Sequence, residues 1–211
     1  VTNNASPPTN PALEDQEFSI AADSEESEQK TEIFEIPQGP SAPVSSKEAV
    51  VNPDTESPKS FEDIQSPRQA VAWLFRRLRE HYLCSMLLSV ENENRVHPWR
   101  WEPAWQPQTE ESLKDFNGDQ PSLFRICLRT RLPYHGPVIP SELNDWFFKN
   151  WWQGQSPSQV TCVPVVDKNK VLALALAVGD EAANTMQSLV FFEREVEQIK
   201  KFFFEAESKA A

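Results

Sequence analysis

The stretch Val160–Val178, VTCVPVVDKNKVLALALAV, decides the fold of this 211-residue chain. Two runs rich in aliphatic residues, Val160–Val166 and Val171–Val178, flank the polar residues 167–170. Apolar runs of this length with a short polar connection are typical of a β-hairpin, here with a four-residue loop. The second run is apolar on both faces, which predicts a strand in the interior of a sheet. Pro164 cannot donate a backbone hydrogen bond, so we expect the first strand to be less completely paired.

A second pair of strands is predicted closer to the N-terminus. Residues 83–90 form a nearly continuous apolar run, as a buried central strand does. After a polar turn, residues 95–101 alternate in character and place Trp99 and Trp101 on one side. Pro98 lies within this run and predicts an edge strand or a bulge. Hairpin connections make neighbouring strands antiparallel, so we expect a mainly antiparallel sheet.

Four amphipathic helices are predicted from apolar residues that recur about every 3.6 positions. The first begins with Ser66 as its N-cap and Pro67 in its first turn, and the last opens at Ser188. The predicted ranges are 66–82, 119–132, 141–152 and from 188 onward, with irregular connections at 102–121 and 134–140. Long amphipathic helices at both ends must each bury one face, and the sheet offers that surface. The sequence therefore predicts an α+β fold, a central, mainly antiparallel sheet with amphipathic helices packed on it.

The segment between the two hairpins carries the features of a known family. A Gly-Pro turn leads into a short aromatic helix, and a strand that contains proline then enters the hairpin. The residues that carry this pattern are Pro133, Gly136, Pro137, Val138, Ile139, Pro140, Asn144, Phe147 or Phe148, Val163-Pro164-Val165 and the strand Val171–Val178. With this order of elements, residues 64–206 resemble a GAF domain, the small sensor module related to PAS. The likeness is strongest to the divergent GAF-like modules of bacterial signalling proteins.

The resemblance implies sensing, dimerisation or partner binding, and it does not imply catalysis. Two features depart from the family's pattern. The hairpin ends at Val178-Gly179-Asp180 without a ligand signature, and the helix at 141–152 holds more tryptophan than such modules usually do. The sequence therefore identifies no particular ligand.

Composition divides the chain near residue 60. Residues 1–60 hold 16 apolar residues, 8 prolines, 12 acids and 3 lysines, whereas residues 61–211 hold 66 apolar residues, 20 acids and 17 bases. A stretch with low hydrophobicity and net negative charge cannot bury enough surface to offset its chain entropy. We therefore expect a disordered, acidic, Pro-rich tail over 1–61, the GAF-like domain over 62–206 and a disordered end over 207–211.

Two apolar islands interrupt the acidic tail. They are either docking motifs that order on binding a partner or chance clusters of apolar residues. The candidate docking residues are Phe18, Ile20, Ile33, Phe34 and Ile36.

Composition and motifs exclude several functional classes. No run of about 18 apolar residues occurs, so no membrane span is expected. A chain of net charge −12 is a poor binder of nucleic acid. Three cysteines without a CxxC pair argue against zinc ribbons and disulfide frameworks and favour a reducing compartment, so we expect a cytoplasmic location. The sequence lacks the motifs of hydrolases, metalloproteases and phosphate-binding loops, so no catalytic residue, metal or cofactor is predicted and the chain is not expected to be an enzyme.

Arginines and aromatic residues are the candidates for a partner or ligand surface. Arg125 and Arg129 share one helical face, either as a solvated basic face or as a pair that grips an anion. Tryptophan is enriched at binding hot spots, with a core position as the alternative. Phe202, Phe203 and Phe204 are consecutive, so one helix face cannot bury all three. The candidate surface comprises Arg125, Arg129, Arg131, Trp99, Trp101, Trp152, Phe202 and Phe204.

These observations predict a non-catalytic signalling or scaffold module. It binds a protein partner, or a second copy of itself as a homodimer, through aromatic and arginine surfaces. The acidic tail adds docking or autoregulation, for example by folding back on the basic surface. The alternative is a sensor that holds a small molecule, such as a nucleotide, between the sheet and the helical excursion at 105–152. A sensor needs a pocket of about 300–1,000 Å³, whereas an interaction module fills this space with Trp and Phe.

Overall fold

The computed structural model describes residues 49–92, 95–179 and 185–208, with side chains in the last helix described as far as residue 202. The two apolar islands of the tail lie outside the described residues. The six strands within these ranges are β1 (Cys84–Glu91), β2 (Arg95–Trp101), β3 (Phe116–Asn117), β4 (Tyr134–Gly136), β5 (Gln159–Asp167) and β6 (Lys170–Gly179). They form one antiparallel sheet in the order β3-β2-β1-β6-β5-β4. The α+β fold with a mainly antiparallel sheet is therefore confirmed.

The predicted hairpin lies at the centre of this sheet. Strand β6 pairs with β1 on one side and with β5 on the other, which explains its apolar character on both faces. The connecting loop is shorter than the expected four residues, because Asp167 and Lys170 are already paired. Lys168 and Asn169 alone form the turn, with φ angles of 44° and 72°. Left-handed backbone at both central residues is the geometry of a two-residue type I′ turn, which follows the twist of the strands.

Pro98 affects the pairing of β2 as the sequence predicted. The register between β1 and β2 shifts between Leu87 and Leu88, which face Arg100 and Pro98. One residue of β2 is therefore left out of the pairing, and the strand bulges there. On its outer side β2 pairs with β3 at Arg95 and Val96.

The described ranges contain five α-helices, which start at polar caps. They are α1 (Pro53–Glu56), α2 (Pro67–Leu78), α3 (Leu123–Thr130), α4 (Glu142–Trp151) and α5 (Met186–Ser208), with a 3-10 turn at Glu110–Leu113. Ser66, Ser122 and Ser141 each accept a hydrogen bond from the backbone N–H three residues later, which fixes the starts of α2, α3 and α4. None of these helices combines the length and apolar composition that crossing a bilayer requires.

The two faces of the sheet bury two separate cores. On one face, α2 and α5 pack against alternate residues of the central strands, including Ala175 and Ala177 of β6. On the other face, α3 and α4 pack against the intervening residues, including Leu174 and Leu176. Small alanine side chains lie under the helix pair α2 and α5, and bulky leucines lie under α3 and α4. The fold is therefore a central sheet between two helical layers.

The folded part begins before residue 62, the boundary predicted from composition. Val51 is fully buried, and its N–H donates to the carbonyl oxygen of Trp101 at 2.9 Å. Arg68 of α2 bonds the carbonyl oxygen of Val50 at 2.7 Å and forms an ion pair with Glu56. These contacts hold residues 49–56, which we call the N-terminal strap, against the end of β2. Composition averaged over sixty residues could not show that the last twelve find partners in the domain.

The strap gives a direct test of this boundary. We expect Val51→Ala to lower the free energy of unfolding by about 2 kcal/mol, because it removes buried methyl groups from a packed site. Urea unfolding followed by tryptophan fluorescence measures the change. The control is Val190→Ala at an exposed position of α5, which should change stability by less than about 0.5 kcal/mol. Equal, small effects of both variants would show that the strap adds nothing to the fold.

Candidate functional site

Aromatic side chains occupy the space between the sheet and the helical excursion. Phe124 of α3 and Phe147 of α4 are fully buried, with ring centroids 4.9 Å apart. Trp151 lies 4.9 Å from Trp101 of β2, and its indole N–H donates to the carbonyl oxygen of Ser112 at 3.1 Å. These rings form a core by edge-to-face contacts, which are worth about 0.5–1.5 kcal/mol each beyond the buried area. The space between this face of the sheet and α3 and α4 is therefore largely filled by aromatic side chains.

Asn144 fixes the position of α4 in this aromatic layer. Its side chain is completely buried, donates to the carbonyl oxygen of Ile139 at 2.7 Å and accepts from the N–H of Leu123 at 3.3 Å. One amide thus joins α4 to the Gly-Pro turn before it and to the start of α3. The sequence indicated Asn144 through the family resemblance, and the structure shows the physical role of the residue.

An open groove of about 460 Å³ lies between the start of α4 and residues 111–120. Phe116, Leu143 and Trp146 form its apolar part. Charged residues at its rim are Glu111, Lys114, Asp115 and Glu142. The volume of this groove falls within the range of small-molecule sites.

The opposite side of the molecule carries an exposed apolar surface on α5. We call it the α5 patch, and its residues are His81, Met186, Gln187, Val190, Phe191 and Arg194. Met186 and Val190 are 70% and 58% exposed. The ring of Phe191 lies 4.6 Å from that of His81 and 5.1 Å from the guanidinium of Arg194. Exposed aliphatic side chains thus lie beside an aromatic ring and a guanidinium group.

The predicted surface residues divide between the core and two separate sides of the molecule. Trp101 is only 2% exposed and packs on Trp151, so its assignment to a surface is wrong and the core alternative applies. Trp99 and Phe202 are half-buried on the α2 and α5 side, and Trp152 is half-buried against Trp105. The side chain of Phe204 lies outside the described residues. The prediction that Trp99 and Trp101 lie on one side of β2 is wrong, because the bulge that leaves Trp99 unpaired interrupts the alternation and the two side chains pack on opposite faces of the sheet.

The three predicted arginines lie together at α3. Arg125 is half-buried, whereas Arg129 and Arg131 are exposed. Arg129 forms an ion pair with Asp119 at 3.4 Å. This group lies on the α3 and α4 side of the sheet, so it does not share a surface with Trp99 or Phe202.

A buried carboxylate that sequence reasoning missed lies where β2 ends. Glu102 is completely buried and accepts hydrogen bonds from Nε of Arg79 and from the N–H of Ser85, each at 2.5 Å. Arg79 also bonds Asp54 of the strap at 2.8 Å. Burial raises the pKa of Glu102 to about 7, although Arg79 acts in the opposite direction. The partners are far apart in the sequence, so no local pattern indicates this cluster.

The chemical groups of the described residues give little support for catalysis. Cys84, Cys127 and Cys162 are free and buried, and burial raises the pKa of the Cys84 thiol. A buried thiol with a raised pKa is a poor nucleophile. Among the described residues, no three His, Cys, Asp or Glu side chains come together as a metal site.

Several solved structures with a similar fold are GAF domains. The GAF domain of a two-component sensor histidine kinase from Bacillus halodurans matches with a TM-score of 0.54 and 14% identity, over 73% of this chain and all of that one. The GAF domain of a phosphoenolpyruvate-protein phosphotransferase from Coxiella burnetii matches with a TM-score of 0.53 and 6% identity, over 71% of this chain and 89% of that one. A GAF domain/HD domain protein from Geobacter sulfurreducens gives 0.52 and 11%, over 68% and 96%.

No family model and no curated protein sequence matches the chain. The predicted GAF-like fold is therefore confirmed by structure alone. At identities of 6–14% the likeness establishes the fold and leaves function to the residues of the site.

The Glu102 cluster predicts how stability depends on pH. The pKa of Glu102 is raised from 4.5 to about 7 by folding, so the folded state binds this proton more tightly than the unfolded chain does. The resulting stability is complete below about pH 4.5 and is lost as the pH rises through about 7. We expect the wild type to lose up to about 3 kcal/mol relative to Glu102→Gln between these limits, since each pKa unit is worth about 1.4 kcal/mol.

Urea unfolding of both proteins at about pH 5 and pH 8 measures this difference. The glutamine variant retains an acceptor for the N–H of Ser85 but cannot titrate. Parallel pH profiles for the two proteins would contradict the assignment of a raised pKa to Glu102.

Proposed function

We propose that the GAF-like domain is a non-catalytic interaction module of a signalling or scaffold protein. It binds a second copy of the chain or another protein through the α5 patch. The observation that carries the proposal is the exposure of Met186 and Val190 on one face of α5, beside Phe191. Contiguous exposed apolar surface with a polar rim is typical of protein interaction sites.

The composition of the α5 patch supports this assignment. Met186, Val190 and Arg194 follow one another at intervals of four residues and therefore share one helical face. Methionine, aromatic residues and arginine are enriched at protein interfaces, and all three occur in the patch. Arg77 of α2 adds a guanidinium 5.2 Å from the ring of Phe191. Arg77 and Arg194 both form ion pairs with the buried Glu195, so a partner meets a helix with an apolar centre and an ion-paired polar edge.

Two further features support an interaction role. The side of the sheet beneath α3 and α4 is filled by a layer of aromatic side chains, as described above. The similar GAF domains from Bacillus halodurans and Coxiella burnetii belong to a sensor histidine kinase and a phosphotransferase. A regulatory module without chemistry of its own fits both features, and the three buried free thiols fit a cytoplasmic location.

The acidic tail is part of the proposal as a docking or autoregulatory segment. Residues 1–48, which precede the strap, have ten acids and two lysines, and the apolar islands at 18–20 and 33–36 interrupt this charge. Short apolar motifs in acidic, Pro-rich segments bind partners by ordering on contact.

We expect Val190→Glu to disrupt the interaction of the α5 patch, because it places a carboxylate in the apolar centre of the interface. Sedimentation velocity on the full chain measures self-association of the wild type and the variant. A dimer that becomes monomeric in the variant supports binding to a second copy. Val190 is mostly exposed, so the melting temperature of the variant should remain unchanged.

The matched control is Gln155→Glu, which adds a charge of the same sign at an exposed position after α4, away from the α5 patch. If the wild type is monomeric, affinity capture from the source cells with wild type, Val190→Glu and Gln155→Glu replaces sedimentation. A partner lost only with Val190→Glu supports the proposal. If Val190→Glu changes neither self-association nor the capture of a partner, the α5 patch is not the interaction surface.

A small-molecule sensor is the second candidate, and the open groove beside α4 favours it. The groove combines the apolar side chains of Phe116 and Trp146 with a charged rim in a volume of about 460 Å³. Under the interaction proposal, native mass spectrometry of the full chain should give the apo mass. Extra mass that is lost on denaturation and absent from Trp146→Ala would instead assign a ligand to this groove. Glu197→Ala at an exposed position of α5 serves as the control variant.

A further inference from the structure

A groove of about 210 Å³ lies between the end of α3 and the turn of the β5–β6 hairpin. We call it the α3 groove, and the residues that matter here are Asp119, Leu128, Arg129, Arg131, Lys170 and Val171. Two turns of the backbone hold the cationic residues of this groove. Arg131 caps α3 in the left-handed conformation, with φ of 57°, and Lys170 follows directly after the type I′ turn.

The charge of the α3 groove is opposite to that of the whole chain. Three cationic side chains line the groove, against the single carboxylate of Asp119, in a protein of net charge −12. Arg129 bonds Asp119 at 3.4 Å, which is a long contact. Arg131 and Lys170 have no ion pair with any residue of the part of the chain that the structure describes. At least two cations are therefore available to an incoming anion.

Exposed apolar side chains lie close to two of these cations in the sequence. Leu132, which follows Arg131, is 63% exposed, and Ile126, three residues before Arg129 on α3, is 36% exposed. They are two of the five most exposed large apolar residues among those described. The surface thus combines basic and apolar groups, and its ligand should combine acidic and apolar groups.

The size of the α3 groove indicates how much of the ligand it takes. Its volume of about 210 Å³ is smaller than the roughly 300–1,000 Å³ of small-molecule sites. It accommodates one or two side chains of a larger ligand. Guanidinium groups bind carboxylates through paired hydrogen bonds, so an aspartate or glutamate side chain fits the cations.

We propose that the α3 groove binds an acidic peptide segment of a partner protein, with a carboxylate between Arg131 and Lys170 and an apolar side chain against Leu132. The site is distinct from the α5 patch, so each assignment can fail while the other stands. Because the cations are exposed, the interaction is fast and sensitive to salt, with charges screened over about 8 Å at physiological ionic strength.

Fluorescence anisotropy on the full chain tests the proposal. The probe is a fluorescein-labelled heptapeptide of alternating glutamate and leucine, titrated at about 20 mM and 150 mM sodium chloride. We expect saturable binding at the lower salt and a weaker affinity at the higher salt. The double variant Arg131→Gln, Lys170→Gln should weaken binding at least about tenfold, because it removes both available cations.

The matched control is Lys114→Gln, Lys149→Gln, which removes the same charge from exposed positions outside the α3 groove. This control, and Val190→Glu in the α5 patch, should leave the affinity within about twofold of the wild type. A peptide with glutamine in place of glutamate should not bind. Equal weakening by both double variants, equal binding of the glutamine peptide, or no binding at low salt would overturn the proposal.

Discussion

The burial of strand β6 on both faces is the constraint on which the rest of the structure depends. A strand paired on both edges and apolar on both sides has no surface for water, so helices must cover the sheet twice. The alternation of leucine and alanine in Val171–Val178 then makes the two coverings different. The helix pair α2 and α5 lies over the alanines, and the aromatic layer of α3 and α4 lies over the leucines. Each of the two proposed binding surfaces lies on one of these layers.

The predictable part of the fold follows from local pattern. Both central hairpins, the helix caps at Ser66 and Ser141 and the long last helix were indicated by runs and periods that span several residues. Strands β3 and β4 have two and three residues, too few to show a period, and they exist because neighbouring strands offer them an edge. The strap could not be predicted from its own sequence either, because its position depends on contacts with Arg68 and with the end of β2.

The candidate site was less predictable because it depends on what covers a residue. Trp99 and Trp101 differ by two positions on β2, and yet only Trp101 meets another indole in the core. In the sequence, nothing distinguishes Glu102 from the other acids. Only the folded structure places it beside Arg79 and Ser85. Exposed Met186 and Val190 obey the same spacing as buried residues of the helix. By contrast, the clustering of arginines at 125–131 was visible in the sequence, and folding adds Lys170 to it.

The pairing of β1 with β6 also determines how the chain must fold. Each hairpin joins neighbours in the sequence, whereas Cys84 and Val178 meet across most of the domain. Contacts of such long range are slow to form, because the chain loses the entropy of loop closure before the pairing of the strands stabilises it. In that interval the hairpin of β5 and β6 presents an apolar edge without a partner. Such edges associate with one another between chains. The strand that organises the native state is therefore also an aggregation hazard while the chain folds.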